Sequence, residues 1–494
     1  MPSITHLTIV FFLIVSLALS QESVITVGPK GCDFYRIDVA IDSAGPGDTI
    51  EVHSGEYYVN LNITTPLLTL QGKDTGNGRP VLRAGSSTAD IENRGIGMTE
   101  MTVKTGGTAI AIREFGCKVD GFDITGIIRP IPYGSGEHND LIGDAGIRVY
   151  SDGNTISNNT FFGNELTAIG LWNCSNNRII NNTIKDIPFG YAIELYNSNG
   201  TVIEGNQILH NDWGIEMQRS DSNVIEGNEI RDSINDAIRA MKCNYTIISG
   251  NFITGSGWES EYEGNGKGIS LMGSMSAITR NLIERNRDDG IHIESIFWNN
   301  YPADVSYDNL IHKNKIRHNG KDGISLLKSW DNQLWNNNIT ANHGNGIVLT
   351  FSNNNTLEES NTSENLRGIF LYQSNYTKIA NSTITDESRG GIVLDQYCTG
   401  NTLALNMVSN STEGINISGG SSGNAIFGNN LSSNAQPAWD FSGNSWDRDG
   451  RGNFYGQRNC RDKDSDGICD LPYLIAGGAS IDRYPLASWT RMHE

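Results

Sequence analysis

The stretch Gly290-Ile291-His292-Ile293 is one copy of a short apolar motif that recurs along most of the chain. In almost every copy a Gly or Ala precedes the central Ile, and an apolar residue lies two positions after it. The copies are roughly 22 to 24 residues apart, with two longer intervals, and a period of this length is typical of solenoid proteins. The central residues are Ile147, Ile169, Ile193, Ile215, Ile238, Ile269, Ile291, Ile324, Ile347, Ile369, Ile392 and Ile415.

A second motif runs in step with the first. It consists of an Ile or Leu, an Asn three residues later and usually another aliphatic residue, as in Ile225, Asn228 and Ile230. An inward Asn at a coil corner can bond the Asn of the next coil and the turn backbone, which satisfies buried polar groups. The predicted ladder contains Asn159, Asn182, Asn206, Asn228, Asn251, Asn281, Asn314, Asn337, Asn406 and Asn429, with Ser360 and Ser382 in two positions.

Two or more short strands per repeat, with no helical pattern between them, predict an all-β parallel β-helix rather than a leucine-rich horseshoe. Stacked coils pair each strand with its equivalents above and below at about 4.8 Å. Aliphatic residues then stack inward as columns, and no single coil buries its apolar face alone. Loops rich in Asn and Gly are the alternative, but loops do not keep phase over twelve repeats.

The composition agrees with one long domain. The chain has 494 residues, 56 Gly, only 12 Pro and a formal charge of -20. This charge excludes a basic nucleic-acid footprint and gives no reason for attraction to anionic lipid. A solenoid is quasi-one-dimensional, so the length does not imply several domains.

The N-terminus resembles a secretion signal. The apolar run Leu7 to Leu19 is too short to span a bilayer comfortably, and Ala18-Leu19-Ser20 offers small residues before Gln21. We predict a cleaved signal peptide over residues 1–20, with an uncleaved anchor as the alternative. After cleavage the chain is expected to be secreted or at the cell surface, without stable membrane insertion.

The mature chain divides into three parts. Residues 21–144 are predicted to form an N-terminal cap and the first coils, with a short amphipathic helix from Phe34 to Ser43. Residues 145–434 form the regular coils, and residues 435–494 form a C-terminal cap with an Asp-rich loop. Caps at both ends would cover the open core and the exposed strand edges.

The Asp-rich loop has the spacing of a calcium site. Alternate carboxylates can converge on a hard cation, and Gly467 permits the turn between them. An acidic, solvated turn is the alternative. The predicted Ca²⁺ ligands are Asp462, Asp464, Asp466 and Asp470.

Seven cysteines fit an oxidising compartment without forming a disulfide scaffold. Cys460 and Cys469 bracket the Asp-rich loop, and we predict that they form a disulfide. The others are scattered and are interpreted as small coil residues; they are Cys32, Cys117, Cys174, Cys243 and Cys398.

Charge concentrates on one outward face of the predicted coils. The residue after each central Ile should point outward and stack in a column, and we assume that the residue two before it also faces outward. Between the coils of Ile193 and Ile324 these positions hold the candidate catalytic residues. They are Glu194, Glu216, Arg239 and His292 in the first column and Asp236, Lys267, Asp289 and Asp322 in the second. Farther along the chain, the first column contains uncharged residues, namely Val348, Phe370, Val393 and Asn416.

Aromatic residues and both long intervals fall in the same region. The insertions contain Trp258 and Trp298, and they would rise at opposite edges of the charged face and wall a cleft. Sugar rings stack on aromatic side chains, and carboxylates carry out proton transfer. The candidate substrate-binding residues are Trp172, Tyr191, Tyr196, Trp213, Trp258 and Trp298.

The spacing leaves several reactions open. Glu194 and Glu216, one coil apart, would stand about 5 Å from each other, which suits a retaining glycosidase pair or a metal. Asp236 and Asp289 with Lys267 or Arg239 suit uronate chemistry, in which a cation neutralises the carboxylate and a base takes the C5 proton. The alternative is that this face is the solvated surface of a protein that only binds.

The coils and the tail together resemble a known family. The tail carries Gly452-Asn453-Phe454-Tyr455, Asp464-Ser465-Asp466-Gly467-Ile468 and Asp482-Arg483-Tyr484-Pro485-Leu486. The chain is similar to the right-handed parallel β-helix proteins of the NosD-like, carbohydrate-binding and sugar-hydrolase (CASH) superfamily, common among secreted archaeal surface proteins. The resemblance implies the fold but not one activity, because that fold hosts lyases, hydrolases, epimerases and non-enzymatic binders.

Three functions follow as hypotheses. The first is an exported surface protein of an archaeal envelope or bacterial periplasm that binds, or binds and processes, polysaccharide or glycan; if it is an enzyme, it is a lyase, glycoside hydrolase or uronate epimerase. The second is a structural or adhesive envelope protein stabilised by calcium. The third, a copper-associated periplasmic protein, is implied by the NosD resemblance, but the few His and Met residues form no cluster along the columns.

Overall fold

The computed structural model describes residues 23–85, 107–127, 145–261, 265–298, 301–456 and 460–490. Side chains are not described for residues 297–298 and 301–303. The predicted signal peptide, residues 1–20, and the side chain of Trp298 therefore lie outside the described part of the chain. The fold is an all-β, right-handed parallel β-helix of about 16 turns with coils of about 23 residues, as the repeat predicted.

Each coil contributes one strand to a sixteen-stranded parallel sheet, here called the first sheet. Its strands are Val24–Val27, Thr49–His53, Thr69–Lys73, Lys118–Asp120, Thr155–Ser157, Arg178–Ile180, Val202–Glu204, Val224–Glu226, Ile247–Ser249, Ala277–Thr279, Leu310–His312, Gln333–Trp335, Thr356–Glu358, Lys378–Ala380, Thr402–Ala404 and Ala425–Phe427.

The other strands stack in two columns, here called the second and third columns of strands, with the first sheet counted as the first. Two long strands, Thr183–Tyr196 and Gln207–Gln218, each run through both columns and join them into one 27-stranded sheet. The second column also contains Glu56–Val59, Val81–Ala84, Asp123–Thr125, Thr160–Phe161, Glu229–Arg231, Phe252–Thr254, Leu282–Glu284, Lys315–Arg317, Asn338–Thr340, Asn361–Ser363, Thr383–Thr385 and Met407–Ser409. The third column also contains Leu61–Ile63, Ile110–Ile112, Ala145–Val149, Thr167–Trp172, Ile238–Met241, Ile269–Met272, Ile291–Glu294, Ile324–Leu327, Ile347–Thr350, Arg367–Tyr372, Gly390–Asp395, Glu413–Ile417 and Gln436–Asp440.

Smaller elements decorate the coils. Ile296–Trp298 and Tyr301–Asp304 form an antiparallel hairpin in the second insertion, and Tyr473–Leu474 pairs with Ile481–Asp482 in the tail. Ser306–Tyr307 and Ser329–Trp330 pair in parallel. The helix Ile37–Ser43 lies within the predicted helical segment and buries Ile37, Ala40 and Ile41 in the core.

The core confirms the register that the repeat predicted. Successive central isoleucines are partners in the third column, from Ile147 with Ile169 to Ile392 with Ile415. All of them are buried in one continuous apolar cluster. Each isoleucine is covered by its neighbours above and below, so the stack excludes water only when several coils are present.

The predicted Asn ladder is also confirmed. The Asn182 side-chain oxygen accepts from the backbone N–H of Asn159 at 3.0 Å and from its side-chain amide at 3.2 Å. The same pattern repeats through Asn337, passes through Ser360 and Ser382, and resumes at Asn406 and Asn429. The ladder then extends one coil farther, where Asn429 bonds Asn453 at 3.1 Å.

Two further ladders occupy the other corners, and the sequence motifs did not predict them. One contains Asn309, Asn332 and Asn355, and the other contains Asn286, Asn319, Asn342 and Asn365. The last of these reaches Glu387, whose carboxylate accepts from the Asn365 N–H at 2.7 Å. Burial raises the pKa of Glu387 to about 7. None of the helices in the described part of the chain has the length and apolarity needed to cross a bilayer.

Candidate functional site

The residues of the first candidate column line the outer surface of the third column in register. Gly170 is the partner of both Arg148 and Glu194, Glu194 is the partner of Glu216, and Glu216 is the partner of Arg239. The column continues through Ser270 to His292. We call this row from Arg148 to His292, together with the neighbouring Lys267, Asp289 and Glu294, the charged strip.

Arg148 begins the strip. The sequence analysis did not include it among the candidate residues. Its guanidinium is 2% exposed and lies 3.0 Å from the Glu194 carboxylate, two coils away. The intervening residue is Gly170, and a Cβ atom there would lie 2.2 Å from the Arg148 Nη1 atom. The glycine therefore leaves the space that lets arginine reach glutamate across a coil. Because Arg148 directly follows Ile147, extending the column rule two repeats earlier would have found it.

Glu216 is buried at the centre of the strip, where the described residues bring one cation close to it. The Arg239 guanidinium is 3.8 Å away, and the Glu216 Oε2 atom has no hydrogen-bond partner among the described residues. Burial raises the pKa of Glu216 to about 8, which the charge of Arg239 offsets only in part. This carboxyl is therefore mainly protonated at neutral pH and can donate a proton or a hydrogen bond.

His292 lies between two carboxylates. Its Nδ1 atom is 3.0 Å from Asp289 and its Nε2 atom is 3.7 Å from Glu294. Burial lowers the pKa of His292, but the hydrogen bonds and charges of the two carboxylates outweigh burial and raise it to about 9. His292 is therefore a cation at neutral pH. Glu294 was not among the assigned site residues, although it is two positions along the same strand.

The three aspartates of the second candidate column do not project into solvent, which corrects the assumption made from the sequence. Asp236 Oδ1 accepts 2.8 Å hydrogen bonds from the backbone N–H groups of Gly266 and Lys267. Asp289 accepts from the Asp322 N–H at 3.0 Å, and Asp322 accepts from the backbone of Asn345. These carboxylates point along the stack because the corner before each strand leaves backbone N–H groups that need an acceptor. Each therefore has a structural role.

Their electrostatics still contribute to the strip. Burial raises the pKa of Asp236, and burial together with Asp289 raises the pKa of Asp322 to about 6. The Lys267 ammonium lies 4.0 Å from Asp288, a buried carboxylate that also pairs with Lys321 at 2.9 Å. Asp288 and Lys321 were missed by the sequence assignment because Asp288 falls outside both predicted columns.

Aromatic pairs flank Glu194 and Glu216 on both sides. Tyr191 and Trp213 are strand partners on one side, with ring centroids 6.3 Å apart. Trp172 and Tyr196 stack at 4.3 Å on the other side. The Arg239 guanidinium lies 5.0 Å from the Trp213 ring centroid, a cation–π distance.

The insertions lie at opposite ends of third-column strands. The first precedes Ile269–Met272, and its Trp258 is exposed and donates its indole N–H to the Arg285 carbonyl oxygen at 2.7 Å. The second is the hairpin that follows Ile291–Glu294, and its Asp304 lies 2.9 Å from Lys242.

The tail brings three of the four predicted calcium ligands together. One oxygen from each of Asp462, Asp464 and Asp466 can be chosen so that all lie within 4.8 Å of one another. Asp470 lies outside this group, and its role as a fourth ligand stays a prediction. The Asp470 carboxylate is instead 3.3 Å from the Lys463 backbone N–H. Three hard carboxylates around a turn fit a calcium ion, whose remaining ligands would be carbonyl oxygens or water.

Backbone hydrogen bonds in this turn hold the three aspartate side chains close together. Asp462 accepts the backbone N–H groups of Asp466 and Gly467 at 3.2 and 3.0 Å. Gly467 has φ of +86°, which favours glycine. A disulfide between Cys460 and Cys469 closes the segment.

The described residues also form a cavity of about 660 Å³ in the tail, away from the charged strip. Its walls include Trp446, Ser480 and Arg483. The indole N–H of Trp446 and the hydroxyl of Ser480 both donate to Asp440, and Arg483 pairs with Asp447. Because these polar groups bind one another, this cavity is a weaker candidate for a ligand site than the charged strip.

Models of two protein families match the chain. The right-handed β-helix region matches residues 117–257 and 191–354, and the family described as periplasmic copper-binding protein (NosD) matches residues 300–460. The chain is a right-handed β-helix protein with a NosD-like region. No curated protein matches it.

Solved structures with similar coils include sugar-active proteins. The A-module of the Azotobacter vinelandii mannuronan C-5 epimerase AlgE4 is 13% identical with a TM-score of 0.39, covering 78% of this chain and 90% of that module. The periplasmic alginate epimerase AlgG is 16% identical with a TM-score of 0.37, covering 76% and 79%. An alginate lyase from a Paenibacillus species is 12% identical with a TM-score of 0.39, covering 59% and 95%. Similarity this low carries no information about what this protein binds.

The described residues of the NosD-like region do not fit a copper site. Copper sites use imidazole, thiolate or thioether ligands that converge on one point. Among the described residues, the only group of three or more potential metal ligands is the aspartate group in the tail, which offers hard oxygens alone. His312 is stacked on Trp335 at 4.4 Å instead of meeting another imidazole.

Proposed function

We propose that the charged strip binds an acidic polysaccharide, such as a uronate polymer, outside the cytoplasm. The observation that carries this proposal is the buried Glu216, whose raised pKa keeps a proton beside Arg239 between two aromatic pairs. A protonated carboxyl donates a hydrogen bond to a sugar oxygen, whereas an ionised one would repel a uronate. The periplasmic description of the matched family supports export.

Cations make the strip suitable for carboxylated sugars. Arg239, Lys267 and protonated His292 lie along it, in a chain whose formal charge is -20. Sugar rings would stack on Trp213 or Trp172, since aromatic faces pack against the apolar face of a ring. Successive coils are about 4.8 Å apart, so a polymer lying along the stack would meet one row of groups per coil.

The same groups would support proton transfer at C5 of a uronate. A cation at Arg239 or Lys267 would neutralise the sugar carboxylate and make the adjacent C–H more acidic. Glu216 would supply a proton, and an ionised carboxylate such as Glu294, whose pKa the hydrogen bond from His292 lowers, would accept one. We therefore propose binding as the primary function and a lyase or epimerase reaction as its extension.

Removing one of the cations of the charged strip should weaken ligand binding. We expect His292→Ala to weaken binding of polygalacturonate or polymannuronate oligosaccharides by about tenfold, the size of a lost charge-assisted hydrogen bond. Binding should also weaken as pH rises through about 8 to 9, because Glu216 and His292 lose their protons there. Calorimetric titration across this range measures both effects.

Glu413→Gln is the matched control, because Glu413 lies on a distant coil of the same third column. This variant should bind as the unmodified protein does, while Glu216→Gln should keep binding at high pH and lose any turnover. The proposal fails if uronate oligosaccharides do not bind, or if Glu413→Gln weakens binding as much as His292→Ala does.

A second candidate function, a calcium-stabilised structural or adhesive envelope protein, is favoured by the aspartate group in the tail. We propose that Asp462, Asp464 and Asp466 hold Ca²⁺. A ligand that binds only the folded state stabilises it by RT ln(1 + [Ca]/Kd), about 2.7 kcal/mol at one hundred times Kd. Saturating calcium should therefore raise the melting temperature.

Asp464→Ala should abolish this calcium-dependent increase and leave melting in EDTA unchanged. Asp449→Ala is the control, because Asp449 is an exposed tail carboxylate outside the group. Equal melting of the unmodified protein in EDTA and in calcium would show that the loop is only an acidic turn.

A further inference from the structure

A cysteine, a histidine and a glutamate lie in line on the first coils, far from the charged strip. The Cys32 Sγ atom is 3.3 Å from His53 Nδ1, and His53 Nε2 is 3.0 Å from Glu51 Oε1. The Lys73 ammonium in turn donates to both Glu51 carboxylate oxygens at 2.8 and 2.9 Å. The order thiol, imidazole, carboxylate is that of an activated nucleophile, a base and the group that orients the base.

The local sequence builds this arrangement. Glu51 and His53 are two residues apart in the strand Thr49–His53, so both side chains lie on its outer face. His53 is the register partner of Lys73 in the next coil. Gly28 follows the first strand, and a Cβ atom there would lie 2.9 Å from the Cys32 Sγ atom and 3.2 Å from the His53 Cβ atom. The glycine therefore leaves room for the thiol against the imidazole.

Cys32 differs from the other cysteines of the chain. Four of the five free cysteines are buried, and only Cys32 is partly exposed. Burial raises the pKa of Cys117, Cys174, Cys243 and Cys398, which keeps those thiols protonated and unreactive. The structure thus places one accessible thiol beside a base.

We propose that Cys32 is a nucleophilic thiol that exchanges with disulfides and carries a mixed disulfide, with His53 as its base and Glu51 as the positioning residue. The thiol gives its proton to His53 Nδ1, and the thiolate attacks one sulfur of the incoming disulfide. The new S–S bond forms as the old one breaks, and the leaving thiolate takes the proton from the His53 imidazolium. Cys32 is oxidised and half of the incoming disulfide is reduced, so no other oxidant is needed.

The groups around His53 favour this proton transfer. Glu51 accepts from Nε2, which leaves Nδ1 free to accept the thiol proton. From the next coil, Lys73 neutralises part of the Glu51 charge, and the pKa of Glu51 is lowered chiefly by its hydrogen bond from Lys73. From the following strand, the Tyr57 hydroxyl donates to the His53 carbonyl oxygen at 2.8 Å, and the pKa of Tyr57 is raised by burial.

The test measures the rate at which the full chain reacts with dithiobis-nitrobenzoate and with cystine, across pH. An isolated thiol slows about tenfold per pH unit below its pKa of about 8.5, whereas a thiol paired with imidazole keeps its rate to lower pH. We expect the unmodified protein to react at least tenfold faster than His53→Gln near pH 6.5. Glu51→Gln should give an intermediate rate, and mass spectrometry should place the label on Cys32.

Two control variants make the result decisive. Cys32→Ser should take up no label, and His318→Gln, at an exposed histidine far along the chain, should react as the unmodified protein does. If His53→Gln fails to fold, Glu51→Gln provides the same comparison of pH profiles. The proposal is overturned if these His53 and Glu51 variants keep the rate and pH profile of the unmodified protein, or if the label lies on another cysteine.

Discussion

Replacing Ile369 by Asp is expected to prevent cooperative folding of the β-helix. Ile369 is fully buried, with Ile347 and Ile392 as its partners in the coils above and below. A carboxylate there would have no charge partner, and burial of an unpaired charge costs several kcal/mol. We expect loss of the sheet signal in circular dichroism, or a urea midpoint far below that of the unmodified protein.

Thr356→Asp is the matched control. Thr356 lies on the outer face of the first sheet in the same region, and its register partner in the next coil is Lys378. An outward carboxylate beside a lysine should change the free energy of unfolding by less than about 0.5 kcal/mol. A folded Ile369→Asp protein with an unchanged midpoint would contradict the inward column.

The architecture could be predicted because its cause is periodic. Each central isoleucine packs against an equivalent residue one coil away. The spacing between Ile269 and Ile291 in the sequence therefore predicts that the two residues are in contact. The same holds for the first Asn ladder, in which Asn281 and Asn314 keep one residue type over many coils. The other two ladders were missed because they alternate Asn with Ser, Thr and Glu387, which weakens the sequence pattern.

The site was harder to predict because its geometry depends on direction as well as register. The strand rule gave the outer positions of Glu216 and His292, and it could not give the direction of Asp236 and Asp289, which lie at corners. A corner carboxylate can point to solvent or to the next coil, and unpaired backbone N–H groups decide the outcome. Proximity of Cys32 to His53 was also hidden, because the first coils lack the regular repeat.

The polysaccharide proposal and the Cys32 proposal depend on different parts of the same scaffold. A polysaccharide site on the third column needs protonated Glu216, whose pKa burial raises, and cationic His292, whose pKa Asp289 and Glu294 raise against the effect of burial. Exchange at Cys32 depends on Cys32, His53 and Glu51, which all lie in the first coils. Variants of one site should therefore leave the other unchanged, which additivity at distant positions predicts.

Replacing Asn314 by Leu, which keeps the side-chain size, is expected to lower the stability of the protein strongly. The Asn314 amide donates to the Ile278 carbonyl oxygen at 2.8 Å and to Asn337 Oδ1 at 3.0 Å. Its oxygen accepts from the Asn281 N–H and the Asn281 side-chain amide, both at 3.0 Å. Each buried group left unpaired costs about 1–3 kcal/mol, so we expect a loss of about 3–6 kcal/mol in the free energy of unfolding.

The variant Asn314→Ser separates the effect of losing the ladder hydrogen bonds from the effect of losing side-chain packing. The chain itself uses serine at this position in two coils, where the Ser360 hydroxyl accepts from the Asn337 N–H and the Ser382 hydroxyl accepts from the Ser360 N–H, both at 3.3 Å. Serine restores an acceptor for one backbone N–H group, so Asn314→Ser should lose roughly half as much stability as Asn314→Leu although it removes more volume. Urea denaturation of the two variants under one condition gives the comparison. If leucine proves equal to or more stable than serine, apolar packing at this corner outweighs the hydrogen bonds, and the ladder would then specify register without contributing stability.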